Sequence, residues 1–320
     1  MEYVRLGSSD LTVSRLALGA MTFGWTADRE ASFAIMDEYV AAGGNFIDTA
    51  DIYSRWARGN GGGESERMIG AWLAERGVRG HIVIATKVRG RMWPGPAGEG
   101  LGREHIVKSC EASLKRLGVD TIDLYQCHWF DESVPFEETI RAFEELIAAG
   151  KVRSVGVSNF VPEQFRQALS IAGVLSLPAV VSLQPHYNLV HRAEFELELE
   201  SQCLEHGVGV IPYSPLAKGF LTGRYSRTNI QAASRSGVRD YLSDSAWATL
   251  DAVVEIAAVR GVPVAAVALA WLLARPAVTA PILGARTVGQ LREQLPAANL
   301  QLGEDEVARL TGVSNPSARG

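Results

Sequence analysis

The sequence predicts an α/β protein, a (β/α)8 TIM barrel with an N-terminal hairpin and extra helices. Eight short apolar runs alternate with helical patterns along the chain, and no linker rich in Pro, Ser or charge interrupts them. Strands separated by helical crossovers pair in parallel, and eight of them close into a barrel more readily than they form an open sheet of that width. We therefore expect residues 1–320 to form one domain.

The apolar runs predict barrel strands at Leu16–Leu18, Phe46–Ile47, Ile82–Ala85, Ile122–Tyr125, Val152–Val157, Val180–Leu183, Val208–Pro212 and Thr279–Leu283. Between them, apolar residues at three- and four-residue spacing predict helices, as in the run from Ile106 to Leu117, where Gly118 supplies the stop. Similar patterns predict helices at Ala31–Ala42, Ser65–Arg76 and Phe136–Ile147.

Segments outside this alternation predict additions to the barrel. Residues Tyr3–Val13 contain the turn sequence Gly7–Asp10 and predict a hairpin that could plug the bottom of the barrel. Helical patterns at Asp244–Val259 and Glu304–Gly312 predict two extra helices. Residues Lys218–Ser243 predict a long polar loop, and loops of that length in a compact fold are usually functional or mobile.

Composition excludes several classes of protein. The net charge is −5 and no block of like charge is present, which argues against a nucleic-acid partner. The three cysteines lack the spacing of a zinc site or a disulfide framework and indicate a reducing compartment. The N-terminus lacks the apolar segment of a signal peptide, and the longest apolar run, Val262–Leu273, is too short to cross a bilayer. We therefore expect a cytoplasmic protein that has no metal site and no membrane partner.

Polar side chains follow nearly every predicted strand. The carboxyl ends of barrel strands meet at one mouth, where the active site of such folds lies. In chain order these side chains are Asp48, Asp51, Tyr53, Lys87, His128, Trp129, Ser158, Asn159, Gln184, His186, Tyr213, Ser214 and Arg286. Each one alone fits a loop charge, a packed ring or a turn former, but the series together predicts one ring of functional groups.

Four of these residues have the chemistry needed to protonate a developing alkoxide. A tyrosine has a pKa of about 10, and the ammonium of Lys87 is expected to favour the phenolate of Tyr53 and lower that pKa. Asp48 would keep the lysine charged, and His128 could donate a hydrogen bond to the substrate oxygen. Protonation is half of a carbonyl reduction, and the other half is a hydride that side chains cannot supply. A nicotinamide cofactor is therefore implied.

No glycine-rich Rossmann fingerprint follows a strand in this sequence. A barrel can instead hold phosphates with the loops after its seventh and eighth strands. Ser214–Ala217 and Gly284–Thr287 are the candidate loops, and the second leads into a predicted helix whose N-terminus favours anions.

Several segments carry a resemblance to a known family. The segment Phe46–Tyr53 resembles the second-strand signature of the aldo-keto reductases, in particular the bacterial NADPH-dependent members. Further similar segments are Ile84–Lys87, Tyr125–His128, Gly150–Arg153, Gly156–Phe160, Gln184–Asn188 and Tyr213–Leu216. The resemblance extends from about Val4 to Leu295, and its segments occur in family order. The resemblance implies a (β/α)8 barrel, NAD(P)H-dependent carbonyl reduction, and a catalytic tetrad of Tyr53, Lys87, His128 and Asp48.

The resemblance also implies a set of cofactor-binding residues. They are Met21, Ser158, Asn159, Gln184, Tyr213, Ser214, Leu216, Gly284, Arg286, Gln290, Glu293 and Gln294. Tyr213 would stack on the nicotinamide, and Arg286 would face the 2′-phosphate of NADPH. Gln294 stands where many members have Asn, and Gln290 where some have a second basic residue. The expectation of NADPH therefore rests on Arg286, and NADH stays possible.

Four tryptophans lie in the loops after strands one to four and predict a substrate that contains a ring. They are Trp25, Trp56, Trp93 and Trp129. An aromatic aldehyde, a quinone-like ketone or a keto-sugar would suit such surfaces, and Met21 is expected to face the substrate as well. The alternative for each tryptophan is that its ring packs against its own loop.

Other functions are compatible with the same residues. Lys87 could form a Schiff base, which would make the protein a barrel lyase. Asp48, Asp51 and His128 could bind a metal for hydrolysis. Some relatives of the aldo-keto reductases are non-catalytic, NADPH-sensing subunits of channels, and tight NADPH retention without turnover would indicate that role. The sequence leaves the oligomeric state, the physiological carbonyl and the direction of the reaction open.

Overall fold

The computed structural model describes residues 1–228, 230 and 237–315 of the chain. Within these residues the strands are β1 (Tyr3–Arg5), β2 (Thr12–Ser14), β3 (Ala17–Gly19), β4 (Phe46–Asp48), β5 (Val83–Val88), β6 (Ile122–Cys127), β7 (Val152–Ser158), β8 (Val180–Gln184), β9 (Gly209–Val210) and β10 (Ile282–Gly284). The helices are α1 (Arg29–Ala41), α2 (Glu64–Arg76), α3 (Arg103–Leu117), α4 (Phe136–Ala148), α5 (Pro162–Val174), α6 (Ala193–Glu196), α7 (Leu199–His206), α8 (Asp244–Arg260), α9 (Val264–Leu273), α10 (Val288–Arg292) and α11 (Glu304–Val313).

Eight parallel strands form one sheet in the order β10-β3-β4-β5-β6-β7-β8-β9. The two edges meet around Val210, which forms a parallel bridge with Val278 and accepts a hydrogen bond from the backbone N–H of Thr279 at 2.8 Å. The sheet therefore closes on itself as a (β/α)8 barrel, and the predicted fold is confirmed.

All eight predicted runs overlap an observed strand, but several strands extend further toward their carboxyl ends. β5 continues to Val88 because Lys87 pairs with Gln126 and Val88 pairs with Cys127 in the parallel ladder. Lys87 therefore lies inside a strand, whereas the sequence placed it after one. This difference matters for the site, because a strand fixes a side chain more rigidly than a loop does.

The helices begin and end close to the predicted residues. α3 ends at Gly118, whose left-handed backbone allows its N–H to donate to the carbonyl of Leu114. Gly77 ends α2 in the same way, with its N–H on the carbonyl of Leu73. The predicted extra helices correspond to α8 and α11. The apolar faces of the helices pack against the outer face of the barrel and form the main core.

The N-terminal hairpin closes the bottom of the barrel, as predicted. β1 and β2 pair antiparallel, and the fully buried Leu6 and Leu11 pack with Phe46 and other residues of the barrel interior. The turn contains Gly7, with φ +53°, and a Cβ atom there would lie 2.1 Å from the carbonyl oxygen of Val181. Only glycine allows the turn to lie this close to the barrel floor.

The predicted long loop contains short 3-10 helices at Ala217–Thr222 and Val238–Tyr241, and its residues 229 and 231–236 lie outside the described residues. Of the helices described, none alone is long and apolar enough to cross a membrane. The consecutive pair α8 and α9 passes that test together, by length and composition only, and is bent by 103°.

Candidate active site

Asp48, Lys87 and Tyr53 are joined by hydrogen bonds at the carboxyl end of the barrel. The ammonium of Lys87 donates to Asp48 Oδ2 at 2.6 Å, to the hydroxyl oxygen of Tyr53 at 3.0 Å and to the carbonyl of Thr49 at 2.9 Å. The side chains of Lys87 and Asp48 are 0% and 2% exposed. Each proton of the ammonium therefore has an acceptor, and the charged pair is removed from water.

The strand register places these groups together. Asp48 is the last residue of β4 and pairs with Ala85 of β5, and Lys87 lies two residues further along on the same face. Ala85 faces the barrel interior, so Lys87 also points inward. After β4 the chain turns, with Ser54 at φ +70° and its hydroxyl donating to the carbonyl of Phe23. This turn holds Tyr53 over the lysine.

The second oxygen of Asp48 is held by two glutamines. Gln184 Nε2 donates to Asp48 Oδ1 at 2.9 Å, and Gln126 Nε2 donates to the same oxygen at 3.2 Å. These bonds fix the carboxylate and compensate its burial. Sequence reasoning missed Gln126. The available signal was its position two residues before His128, because alternate residues of a strand share a face.

Burial and charge together set the protonation states of the pair. Burial alone lowers the pKa of Lys87, but the charge of Asp48 and the hydrogen bonds to Asp48 and Tyr53 raise it above its ordinary value. Burial raises the pKa of Tyr53, and the Lys87 ammonium opposes that rise without cancelling it. Lys87 therefore acts in the expected direction, but the expected net lowering of the Tyr53 pKa is wrong because burial outweighs the lysine. At neutral pH Lys87 is charged and Tyr53 keeps its proton.

His128 follows β6 and lies beside Tyr53, with 5.8 Å between the two ring centroids. Burial holds the pKa of His128 well below its ordinary value, and the positive charges of Lys87 and Arg89 contribute a smaller part of this lowering. Its ring stacks on Trp129 at 3.8 Å, and its Nδ1 atom is buried with no hydrogen-bond partner among the described residues. A neutral imidazole of this kind can donate one hydrogen bond and accept another.

The residues expected around the nicotinamide adjoin the tetrad. The hydroxyl of Tyr213 donates to Asn159 Oδ1 at 2.9 Å, and Asn159 Nδ2 donates to the carbonyl of His128 at 3.0 Å and to Ser158 Oγ at 3.1 Å. One face of the Tyr213 ring stacks on His186, with 5.1 Å between centroids. Side-chain amides and a half-buried aromatic ring fit a planar, amide-bearing nicotinamide. The role of these residues as cofactor ligands stays a prediction.

The residues expected at the adenosine end are mostly engaged with the protein itself. Gln290 Oε1 accepts from the backbone N–H of Arg286 at 2.9 Å, Gln294 Nε2 donates to the carbonyl of Gly284 at 3.1 Å, and Glu293 pairs with Arg224. No carboxylate pairs with the guanidinium of Arg286 in residues 1–228, 230 and 237–315.

The helix that follows Arg286 is too short to place a strong positive dipole end near an anion. α10 has five residues, and its N-cap, Thr287, accepts a hydrogen bond from the backbone N–H of Gln290. The contribution expected from a helix dipole is therefore small.

The loop after β9 has an unusual backbone conformation. Ser214, Ala217 and Lys218 have φ values between +49° and +54°, a left-handed conformation that is unusual outside glycine. Such turns can direct backbone N–H groups toward an anion. Leu216, in the same loop, is buried, and Met21 is 46% exposed.

Three of the four predicted substrate tryptophans lie beside the tetrad. Trp25 and Trp56 are about half exposed and meet edge to face at 5.5 Å, and the ring centroid of Trp56 is 6.2 Å from that of Tyr53. Trp129 is 41% exposed and covers His128.

Trp93 is engaged in its own loop. Its Nε1 donates to the carbonyl of Ala97 at 3.1 Å, and its ring packs against His105 and Lys108 of α3. The loop-packing alternative therefore describes Trp93 better than contact with the substrate does.

Asp51 is fully buried and does not join Asp48 and His128. Neither of its oxygens has a hydrogen-bond partner among the described residues. Burial, reinforced by the negative charge of Glu66, raises the pKa of Asp51 well above its ordinary value. Within the described part of the chain, no three His, Cys, Asp or Glu side chains are placed to hold a metal ion.

The sequence matches the family model of the aldo/keto reductase family over residues 15–315. It is 38% identical to the "Uncharacterized oxidoreductase YrpG" of Bacillus subtilis, over 100% of this chain and 98% of that protein. It is 36% identical to the "Probable voltage-gated potassium channel subunit beta" of Arabidopsis thaliana, over 94% and 92% of the two chains. The "Versiconal hemiacetal acetate reductase" of Aspergillus parasiticus is 33% identical, over 99% and 98%.

A match across this much of the chain agrees with the closed barrel and with the buried lysine at its mouth, and proteins of this kind act on small carbonyl compounds. The chain belongs to the aldo/keto reductase family and is an NAD(P)H-dependent oxidoreductase.

Proposed function

We propose that the protein transfers a hydride from NADPH to an aldehyde or ketone, with Tyr53 as the proton donor. The observation that supports this most strongly is the buried ammonium of Lys87, which lies between the carboxylate of Asp48 and the hydroxyl of Tyr53. A phenol beside a fixed positive charge can release its proton when a base of sufficient strength forms next to it.

The proton step follows from this arrangement. The substrate oxygen accepts a hydrogen bond from the hydroxyl of Tyr53 and becomes an alkoxide as its carbon gains a hydride, which is the chemistry that the nicotinamide supplies. The Tyr53 proton then moves to that oxygen. The phenolate that forms is stabilised by Lys87, whose ammonium is already 3.0 Å away. Asp48 keeps the ammonium charged and in place.

His128 would orient the carbonyl. Its ring is neutral at neutral pH because the buried position and the nearby charges of Lys87 and Arg89 hold its pKa low and disfavour an imidazolium. A neutral ring can donate one N–H to the substrate oxygen without competing with Tyr53 as the acid.

The cofactor would be held at both ends by residues of this chain. Tyr213 would support the nicotinamide face, and Ser158, Asn159 and Gln184 would bond its carboxamide. The phosphate end would lie at Ser214, Leu216 and Gly284, with Gln290, Glu293 and Gln294 behind it. The guanidinium of Arg286, which pairs with no carboxylate of the described residues, supports NADPH in preference to NADH, since only NADPH carries a 2′-phosphate.

The substrate would contain a ring, as an aromatic aldehyde or a keto-sugar does. Trp25, Trp56 and Trp129 present exposed indole surfaces beside Tyr53 and His128, with the half-exposed Met21 also at the mouth. An indole face binds both aromatic rings and the C–H faces of sugars.

The Tyr53→Phe variant tests the proposal, because it keeps the ring and removes only the hydroxyl. We expect NADPH binding to be nearly unchanged and turnover to fall by at least about 10²-fold, the usual scale for a general acid. Tyr3→Phe is a matched control, since Tyr3 donates its hydroxyl to Gly43 at the bottom of the barrel. Turnover at the wild-type rate in Tyr53→Phe would show that another group protonates the product.

A second candidate function is an NADPH-sensing regulatory subunit. Relatives from Arabidopsis thaliana and Oryza sativa named as potassium channel β subunits, 36% and 35% identical, favour it. Under that function the chain would retain NADPH tightly and turn over carbonyls hardly at all. Single-turnover measurement of NADPH oxidation with a panel of aldehydes, ketones and keto-sugars distinguishes the two.

A further inference from the structure

Three rings stack in a row beside the catalytic mouth. His191 lies 3.9 Å from His186, and His186 lies 5.1 Å from Tyr213, with interplanar angles of 19° and 13°. His186 follows β8 and Tyr213 follows β9, so the stack joins two neighbouring loops of the mouth. The outer ring of the stack, Tyr213, is the one proposed to support the nicotinamide.

The edge of His186 is bonded to a residue from a distant part of the chain. Its Nε2 and the hydroxyl of Tyr241 are 2.8 Å apart and hydrogen-bonded. Tyr241 is 6% exposed and ends the short helix Val238–Tyr241, where the loop after β9 returns toward α8. The side chain of Asn188, fully buried, donates to the carbonyl of Ser214 and lies beside the same nitrogen.

The stack continues into the catalytic residues. Tyr213 donates its hydroxyl to Asn159, and Asn159 donates to the backbone carbonyl of His128. A continuous series of contacts therefore connects Tyr241 in the loop with His128 at the active site. The two ends of the loop are also joined to each other by the ion pair between Lys218 and Asp240.

Packing alone does not account for an imidazole at position 186. A phenyl ring would stack equally well between two flat rings, and it would place no polar ring atoms in this partly buried position. What imidazole adds is a polar edge, and that edge meets the Tyr241 hydroxyl. Burial lowers the pKa of His186 to about 4, so the ring is neutral and its stacking on His191 is not opposed by charge at neutral pH.

We propose that His186 is a positioning residue that ties the loop after β9, through Tyr241, to the ring of Tyr213. This clasp of His186 and Tyr241 holds the helix Val238–Tyr241 against the mouth and fixes the plane of Tyr213, so that it slows release of the cofactor. The proposal rests on the proposed function, because it takes Tyr213 as the support of the nicotinamide.

Tyr241→Phe removes one hydrogen bond and keeps the ring, and it is the primary test. We expect NADPH, followed by its fluorescence, to dissociate about three- to ten-fold faster, the range that follows from one neutral hydrogen bond. In the cofactor-free protein, amide hydrogen exchange in residues 214–228 and 237–243 is expected to accelerate by a similar factor. Tyr3→Phe, whose hydroxyl binds Gly43 far from the mouth, is the control and should change neither measurement.

A double-mutant cycle separates the bond from a general loss of packing. His186→Phe keeps a flat ring in the stack and removes the nitrogens, so it should resemble Tyr241→Phe in both measurements. Tyr241→Phe in the His186→Phe background should then have no further effect. Fully additive effects, or wild-type exchange and release in Tyr241→Phe, would overturn the proposal. If the wild-type chain binds no NADPH, the proposed function fails, and hydrogen exchange alone still decides whether the clasp exists.

Discussion

Replacement of Arg286 by alanine tests the choice of cofactor. The side chain is half-buried at the carboxyl end of β10, where a barrel commonly binds phosphate. Among the neighbouring candidates, Gln290 accepts from the Arg286 backbone through Oε1, and the anionic Glu293 pairs with Arg224. Arg286 is the cation of this candidate set, and a 2′-phosphate carries close to two negative charges at neutral pH.

The structure sets the size of the expected effect. Charge-assisted hydrogen bonds contribute about 1.5–3 kcal/mol each, and a half-exposed guanidinium belongs at the lower end because water screens it. A loss of about 1.5 kcal/mol corresponds to a dissociation constant for NADPH that is roughly ten-fold higher in Arg286→Ala. NADH lacks the phosphate, so its affinity should change little. Arg286→Lys keeps the charge but not the two-pronged geometry, so its dissociation constant for NADPH should lie between those of the wild type and Arg286→Ala.

Fluorescence titration of NADPH and NADH against each variant measures this difference. Arg292→Ala is a matched control on the same short helix, because Arg292 pairs with Glu38 on the exposed surface. Its affinity for both cofactors should equal that of the wild type. Equal losses of NADPH and NADH in Arg286→Ala, or no loss of either, would remove Arg286 from the phosphate site and with it the main reason to prefer NADPH.

Three further predictions follow from the site. Borohydride added with substrate should leave no adduct on Lys87 by mass spectrometry, because all three protons of its ammonium are hydrogen-bonded and the pKa of Lys87 is raised. A stoichiometric adduct would indicate a Schiff-base lyase. Trp56→Ala should raise KM for ringed aldehydes several-fold more than KM for small aldehydes. Trp93→Ala should lower Tm and leave the ratio of the two KM values unchanged. The same KM ratio in both variants would contradict contact between Trp56 and the substrate. Folding raises the pKa of Asp51. Its stabilising contribution is therefore fully present below the unfolded pKa of about 4 and is lost as the pH rises toward the folded pKa. In that window the free energy of unfolding falls by about 1.4 kcal/mol for each pH unit. In thermal melts the Tm advantage of Asp51→Asn over wild type should therefore grow with pH. Asp120→Asn, at an exposed position, is the control, and an advantage of Asp51→Asn that does not change with pH would show that the carboxyl is compensated.

The order and number of barrel strands could be predicted from the sequence, because an apolar run flanked by helical periodicity has few other interpretations. The ends of the strands were harder to predict. β5 runs on through Lys87 to Val88 since its backbone keeps pairing with β6, and a polar side chain inside a buried strand gives no apolar signal. The hairpin was predictable from its turn, and its fit to the barrel floor depends on Gly7.

For the site, the positions of Asp48, Tyr53 and Lys87 could be predicted, because each residue type is suited to one step of the same chemistry. The net effect on the Tyr53 pKa could not, because it depends on how far burial outweighs the lysine charge. The second support of Asp48, Gln126, also escaped prediction. Its position two residues before His128 placed it on the same face of the strand, but its bond to Asp48 joins two separate strands and appears only when the barrel closes.

Asp51 and Trp93 show the limit of reading residues by their distance from a strand. Both follow strands that end at the mouth, but Asp51 is buried without a partner among the described residues and Trp93 is bonded within its own loop. Whether such a residue reaches the site depends on the direction of its side chain. That direction is set by the conformation of the loop, and loops have no periodic sequence pattern from which it could be predicted.

Isotope transfer tests the central claim most directly. NADPH that carries deuterium at both C4 positions of the nicotinamide is incubated with the wild-type protein and an aromatic aldehyde, and the alcohol is analysed by mass spectrometry. Hydride transfer predicts an alcohol with one deuterium on the former carbonyl carbon, formed at least about 10²-fold more slowly by Tyr53→Phe. An alcohol without deuterium, or NADPH bound tightly with no alcohol formed from any carbonyl tested, would contradict the account.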